Sequence, residues 1–213
     1  MTTFLTVTET IKTIADAEAR FGLRQNRDRG FFAEWQASLP PLTPEEEANC
    51  DRIRASYLHN SFNGSLTEAT INLLLVSPLV YLAGFCDPPY TVQGEKSVTV
   101  EVTERDEVYR GRIDFLILKQ RFWLAIVESK QTQLSFSLGI PQLLTYMMAN
   151  PYPEQSTYGL VTNGDSFLFV KLAQVPTRDY AFSSDFSVYG LPENELYAVL
   201  QIMRAIDGQI RLN

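Results

Sequence analysis

The sequence is poor in the residues that carry much familiar hydrolytic and metal chemistry. It has two cysteines, Cys50 and Cys86, far apart and in no CxxC pair, so neither a disulfide framework nor a structural zinc site is expected. Cys86, between Phe85 and Asp87 at the end of an apolar run, reads as a buried core thiol. There is one histidine, His59, in a setting that fits a helix end. Ser-His-Asp, Cys-His or multi-histidine chemistry would all have to pass through it, so hydrolysis, if the chain performs it, rests on carboxylates. Positive charge is also scarce. Eighteen Lys and Arg against 25 Asp and Glu give a net charge of -7, the reverse of a protein that coats nucleic acid. Any contact with nucleic acid must then be local or carried by metal ions.

Long apolar runs are missing as well. The most apolar stretch, Ile71 to Phe85, is interrupted by Asn72, Ser77 and Pro78 and falls short of the ~20 residues of a membrane span. Met1-Thr2-Thr3-Phe4-Leu5 has no basic segment ahead of an apolar one. No secretory signal and no membrane partner are expected, and the expected location is cytoplasmic.

What is present is an ordinary globular composition, 45% hydrophobic and 12% aromatic. At ~150 residues per domain, 213 residues favour one domain. Within 1–213 the pattern divides into a helical N-terminal extension (1–60), a core (65–172) and a C-terminal extension with a helix (173–213). Apolar spacing predicts a helix over Thr10 to Phe21. Thr43-Pro44-Glu45-Glu46-Glu47 is a helix start that should run to about Leu58. Ser65-Leu66-Thr67-Glu68 opens another helix, which Pro78 kinks or ends. The period then changes. Ser97 to Glu104 alternates as a strand, and Ile113 to Leu118 and Phe122 to Val127 form a hairpin. Leu138 to Ala149 is helical. Thr157 to Val161 and Phe167 to Leu172 are strands about an Asn163-Gly164-Asp165 turn, and a last helix covers about Pro192 to Ile206. The expected class is α/β with a mixed sheet and extra helices at both ends.

The hairpin concentrates charge. Asp114 and Glu128 are symmetric about Arg121, which places them opposite each other with Cβ atoms roughly 5 Å apart, and Lys130 shares Glu128's face. Facing like charges need compensation. Mg²⁺ (or Mn²⁺) supplies it through hard oxygen ligands, and could then activate water with Lys130 offsetting developing charge. A surface patch neutralised by Lys130 accounts for the same spacing. Gln142 and Tyr146 share one face of the next helix. Gln142 could orient water or a phosphate, and Tyr146 could stack on a base; simple core packing of Tyr146 is the competing reading.

Asp114, Glu128-x-Lys130 and Gln142-x-x-x-Tyr146, in that order, resemble the active-site pattern of PD-(D/E)xK nucleases, closest to the branch that includes the nuclease domain of type I restriction enzyme R subunits. Tyr158 to Asp165, Leu42 to Glu47, Leu75 to Leu79 and Leu82 to Pro89 are similar to small stand-alone restriction endonuclease subunit R-like proteins, so the resemblance spans residues 40 to 172. It implies a restriction-endonuclease-like αβββαβ core and metal-dependent cleavage of DNA. It implies Asp114 and Glu128 as metal ligands with the Ser129 carbonyl as a third, Lys130 as the catalytic lysine, and Gln142 as a positioning residue. Glu68 matches a further acid used as a ligand in the family, although Ser65-x-x-Glu68 also fits a capping box. Ile113 stands where the family's name residue is Pro. There is no Gly-rich phosphate loop for a motor; Gly94-Glu95-Lys96-Ser97 lacks the required order. A restriction role would therefore need protein partners. The N-terminal helices offer either a homodimer surface or cover for the sheet. A catalytically inactive nuclease fold that binds protein or nucleic acid is the alternative function.

Overall fold

The computed structural model describes residues 3–36, 38–39, 41–102, 106–120, 122–128 and 139–210; at 102, 122, 125–128 and 207–210 it describes the backbone alone. The chain opens with a short strand β1 (Thr3–Thr6), then α1 (Val7–Thr10) and α2 (Ile14–Phe21). The single helix expected from Thr10 is thus replaced by two. The reason is Thr13, whose extended backbone and hydroxyl cap α2 in a reciprocal box with Asp16. Strand β2 (Arg24–Gln25) and a 3₁₀ turn (Ala33–Trp35) follow, so the N-terminal sixty residues are not purely helical: β1 and β2 both join the sheet.

Helix α3 (Pro44–Ser61) starts where its sequence says it should, with Thr43 and Glu46 in a capping box and Pro44 in the first turn. His59 is exposed in its last turn. Next come α4 (Glu68–Ile71), a π-helical turn (Asn72–Val76) and α5 (Ser77–Leu82), a helical stretch without a break. Pro78 has no N–H to give, and just before it the Ser77 N–H reaches back to the Asn72 carbonyl, a five-residue step. The N-cap of α4 is Thr67, whose hydroxyl accepts from the Thr70 N–H at 3.3 Å. Glu68 is therefore the first helical residue, and the capping box anchored on Ser65 does not form. Gly84, at φ 82°, ends the segment. Phe85 then takes the buried place and Cys86 faces solvent, contrary to the expected core thiol; the buried thiol is Cys50, which burial pushes up to a pKa of about 11.

The order from here is the expected one of three strands, a helix and two strands: β3 (Thr91–Val102), β4 (Glu107–Lys119), β5 (Phe122–Glu128), α6 (Ile140–Met147), β6 (Thr157–Thr162) and β7 (Ser166–Ala173). Strand β8 (Asp179–Ser187) was not anticipated, and the last helix, α7 (Leu196–Ile210), starts later than Pro192 because Asn194 receives the Leu196 N–H at 3.1 Å. The sheet order is β1-β4-β5-β6-β7-β8-β2, with β3 also on β4. The meander β3-β4-β5 is antiparallel, β5 and β6 are parallel, and β6-β7-β8 is antiparallel again.

Helices cover both faces, which makes the protein a mixed α/β molecule in three layers. On one side Tyr57, Leu75, Leu79, Leu200 and Met203 pack against Ile117, Leu124, Leu160 and Phe169. On the other, Val7, Phe21, Leu143, Tyr146 and Met147 pack against Tyr109, Ile113, Leu116, Val161 and Val170. Among the described residues no helix is long and apolar enough to cross a membrane.

Candidate active site

Strand β4 carries two neighbours, β1 and β5, along one edge. The pairing with β1 ends at Thr6↔Arg110, and the pairing with β5 runs only from Lys119↔Phe122 to Phe115↔Ile126. Gly111, Arg112, Ile113 and Asp114 lie between those two ladders, so among the described residues the pairing along this edge of β4 is split there. The third neighbour, β3, falters at the same place: Gly94 pairs with Phe115 and Lys96 with Ile113, while Glu95 between them sits at φ 50°. The side-chain phase of β4 changes here too. Tyr109 and Ile113 belong to the layer under α6, and so does Leu116, three residues on, where strict alternation demands an even step. Asp114, half-buried, stands at this irregularity.

That geometry corrects one expectation. Two residues separate Lys119 from Phe122, so the hairpin is centred between 120 and 121, not on Arg121. Continued past its last pair, the register would set Asp114 across from Val127 and Glu128 across from Ile113. The two acids are on adjacent strands and one residue out of direct opposition. Glu128 in turn pairs through its backbone with Thr162 of β6. The Glu128 side chain, Ser129 and Lys130 lie outside the described residues. Among the described residues no group of three or more His, Cys, Asp or Glu comes together.

Helix α6 is seated on this region by two glycines that sequence reasoning passed over. A Cβ on Gly159 of β6 would come within 2.8 Å of Leu143 and 2.9 Å of Met147, and one on Gly111 of β4 would meet the Tyr146 ring, with Oη at 2.7 Å. Glycine inside a strand marks close approach, and here it lets α6 lie across β4 and β6. Pro141 occupies the first turn, the Thr145 hydroxyl donates to the Pro141 carbonyl at 2.8 Å, and half-buried Gln142 is the third residue of the helix.

Tyr146 is 1% exposed, so its ring has no face to offer a base, and the base-stacking expectation gives way to core packing. Its hydroxyl still reaches the split. Burial raises its pKa, the Arg112 backbone N–H donates to it, and the Asp114 carboxylate nearby raises it further. The structure thus brings Asp114 and Tyr146 together. Glu68, half-buried at the start of α4, is on a helix whose Ile71 packs in the opposite layer from Tyr146, and no described contact ties it to Asp114.

The Asn163-Gly164-Asp165 turn closes the β6–β7 hairpin beside the same sheet. The Asn163 side chain accepts from the Asp165 and Ser166 N–H groups, and Tyr57 of α3 donates to Asp165 at 2.8 Å. Gly164, at φ 89°, leaves room for the Tyr57 hydroxyl, which a Cβ would approach to 2.5 Å.

Chemically, this stretch of β4 offers the Asp114 carboxylate and nearby backbone carbonyls, with a second acid on the neighbouring strand. Carboxylate and carbonyl oxygens are the hard donors that Mg²⁺ or Mn²⁺ takes. Compared with known proteins, the chain matches no protein-family model and no curated protein.

Proposed function

We propose that the protein is a metal-dependent nuclease of the PD-(D/E)xK type, hydrolysing phosphodiester bonds of DNA on a restriction-endonuclease-like fold. The observation that carries this reading is the position of Asp114 on β4, beside Tyr146 and on the strand next to the one that bears Glu128. A helix, an antiparallel three-stranded meander, a second helix and a parallel fourth strand, in that order, support the αβββαβ reading. Asp114, Glu128 and the Ser129 carbonyl would hold the ion, with Glu68 a further candidate. The metal would supply an activated water and charge compensation at phosphorus. Lys130, two residues beyond Glu128, would offset charge on the scissile phosphate. Gln142, in the first turn of α6 one helical turn before Tyr146, would orient the water. Tyr146 holds the backbone of Arg112 beside Asp114 and acts by positioning. With a net charge of -7, DNA binding should be weak and strongly dependent on metal. That same charge favours a second reading, a catalytically silent nuclease fold that binds a protein partner. A role in restriction would require partner subunits, since the chain carries no motor motif, and a homodimer is compatible with either reading.

The test uses supercoiled plasmid and a labelled single strand with Mg²⁺, Mn²⁺ or EDTA. Wild type should cleave only with metal, and Lys130→Ala and Asp114→Asn should each lose roughly two orders of magnitude or more. Absence of both cleavage and calorimetric metal binding in the wild type would sink the nuclease reading in favour of the binding module.

A further inference from the structure

Away from the split, a cavity of about 220 Å³ lies between residues 25–36 and strand β8. Its floor is the buried side chains of Phe32 and Ala181, and Trp35, packed in the same layer, adds an aromatic wall. Arg27 and Arg29 stand at it. In an acidic protein that pairs Arg20, Arg24, Arg112 and Arg204 with carboxylates, these two guanidiniums make no hydrogen bond or ion pair among the described residues. One acid, Asp28, is also in the lining, but its Oδ1 is engaged by the Gly30 N–H at 2.9 Å. The local charge is one acid against two bases.

The surrounding segment is a formed wall. Asn26 donates to Asp179 of β8 at 3.4 Å and accepts from the Asp28 N–H at 2.9 Å, while the Gln36 amide donates to the Arg29 carbonyl at 3.2 Å. Glu34, in the same 3₁₀ turn as Trp35, is locked to Lys171 of β7 at 2.5 Å. Strand β8 is three strands from β5, about 14 Å across the sheet, so this cavity is separate from the candidate active site.

Two such guanidiniums beside an aromatic wall select a flat, anionic ligand: the fork binds phosphate oxygens and the Trp35 ring takes a base. The volume decides its size. It is below the ~300 Å³ at which drug-sized pockets begin, enough for one base with its phosphate at the rim. We propose that this cavity is a mononucleotide-binding site, with the base against Trp35 and the phosphate on Arg27 and Arg29. The source is either a free nucleoside monophosphate or the 5′-phosphorylated end of a strand.

Titration calorimetry in EDTA separates these sources and keeps the result independent of cleavage. The probes are the four deoxynucleoside monophosphates, inorganic phosphate and a 5′-phosphorylated trinucleotide, each with wild type, Asp114→Ala and the Arg27→Ala/Arg29→Ala pair. At least one nucleotide should bind one to one, equally in Asp114→Ala, and about tenfold or more weaker in the arginine pair, whose melting temperature should stay at the wild-type value. Tighter binding of the trinucleotide than of any mononucleotide assigns strand ends, and the reverse assigns free nucleotide. No saturable binding at millimolar ligand, equal competition by inorganic phosphate, or undiminished binding in the arginine pair would each overturn the proposal.

Discussion

Gly111 shows how much of the candidate site depends on a side chain that is not there. With only a hydrogen at that position, the Tyr146 ring can press onto β4 and its hydroxyl can take the Arg112 N–H beside Asp114. A methyl group there has no room unless the ring moves, and overpacking of this kind costs about 1–3 kcal/mol. Gly111→Ala should therefore lower the unfolding free energy by that amount. The same substitution should cost as much in a Tyr146→Phe background, which keeps the ring, and markedly less in Tyr146→Leu, which removes it. Equal costs in all three backgrounds, measured by urea unfolding, would show that the contact is not the cause. Asp114, Glu128-x-Lys130 and Gln142-x-x-x-Tyr146 were visible as a motif because they are chemically unusual at their spacing. Gly111 and Gly159 are not legible in the same way, because a glycine announces close approach without naming the partner, and the burial of Tyr146 depends on that partner.

Elements whose chemistry is local were the legible ones. Thr43-Pro44-Glu45-Glu46 carries its own cap, and α3 begins there with the Thr43 N–H on Glu46 at 2.7 Å. The Asn163-Gly164-Asp165 turn and the Pro141 start of α6 were legible for the same reason. Strands β1, β2 and β8 were not, since a two- or four-residue edge strand has no period to detect, and β8 pairs with β7 through an irregularity between Leu168 and Val170. Glu46 also ties α3 to α7, accepting from Arg204 at 2.6 Å, while Arg204 donates to the Leu82 carbonyl at 2.8 Å. The Arg204 hydrogen bond first, then the Thr43 N–H, hold the Glu46 pKa down at about 2 against an ordinary 4.5. A depressed carboxylate stabilises the fold above its unfolded pKa and loses that contribution as pH falls toward the folded value. Glu46→Gln should thus cost about 1–2 kcal/mol near neutrality, and the gap to wild type should narrow below pH ~4.5 and close near pH ~2. Thermal melts of both proteins across that range give the answer, and a gap independent of pH would place the effect in packing.

Across the whole molecule, the N-terminal segment is fastened to the far half of the sheet by a buried charge pair that no local pattern could reveal. Glu34, 3% exposed, accepts from Tyr158 at 2.7 Å and from Lys171, a residue 137 positions away in the chain. Phe31 and Tyr158 present their rings to the same ammonium at 5.5 and 5.8 Å. In sequence Glu34 is one acid among Phe31, Phe32 and Trp35, and nothing nearby announces its counter-ion. The pair ties three elements together: the 3₁₀ turn that walls the cavity, β6 and β7. Isolated charge at such depth is costly, so removing one partner is worse than removing both. Lys171→Met, which leaves Glu34 buried without its cation, should cost about 3–5 kcal/mol. Adding Glu34→Gln to that variant should recover a large part of the loss, because the neutral amide still accepts from Tyr158 while the stranded charge is gone. The cycle of two single variants and the double variant, unfolded in urea, measures the coupling directly. Additive costs would mean that Glu34 and Lys171 contribute separately, and that the N-terminal segment is held by its apolar contacts with Phe32 and Trp35 instead.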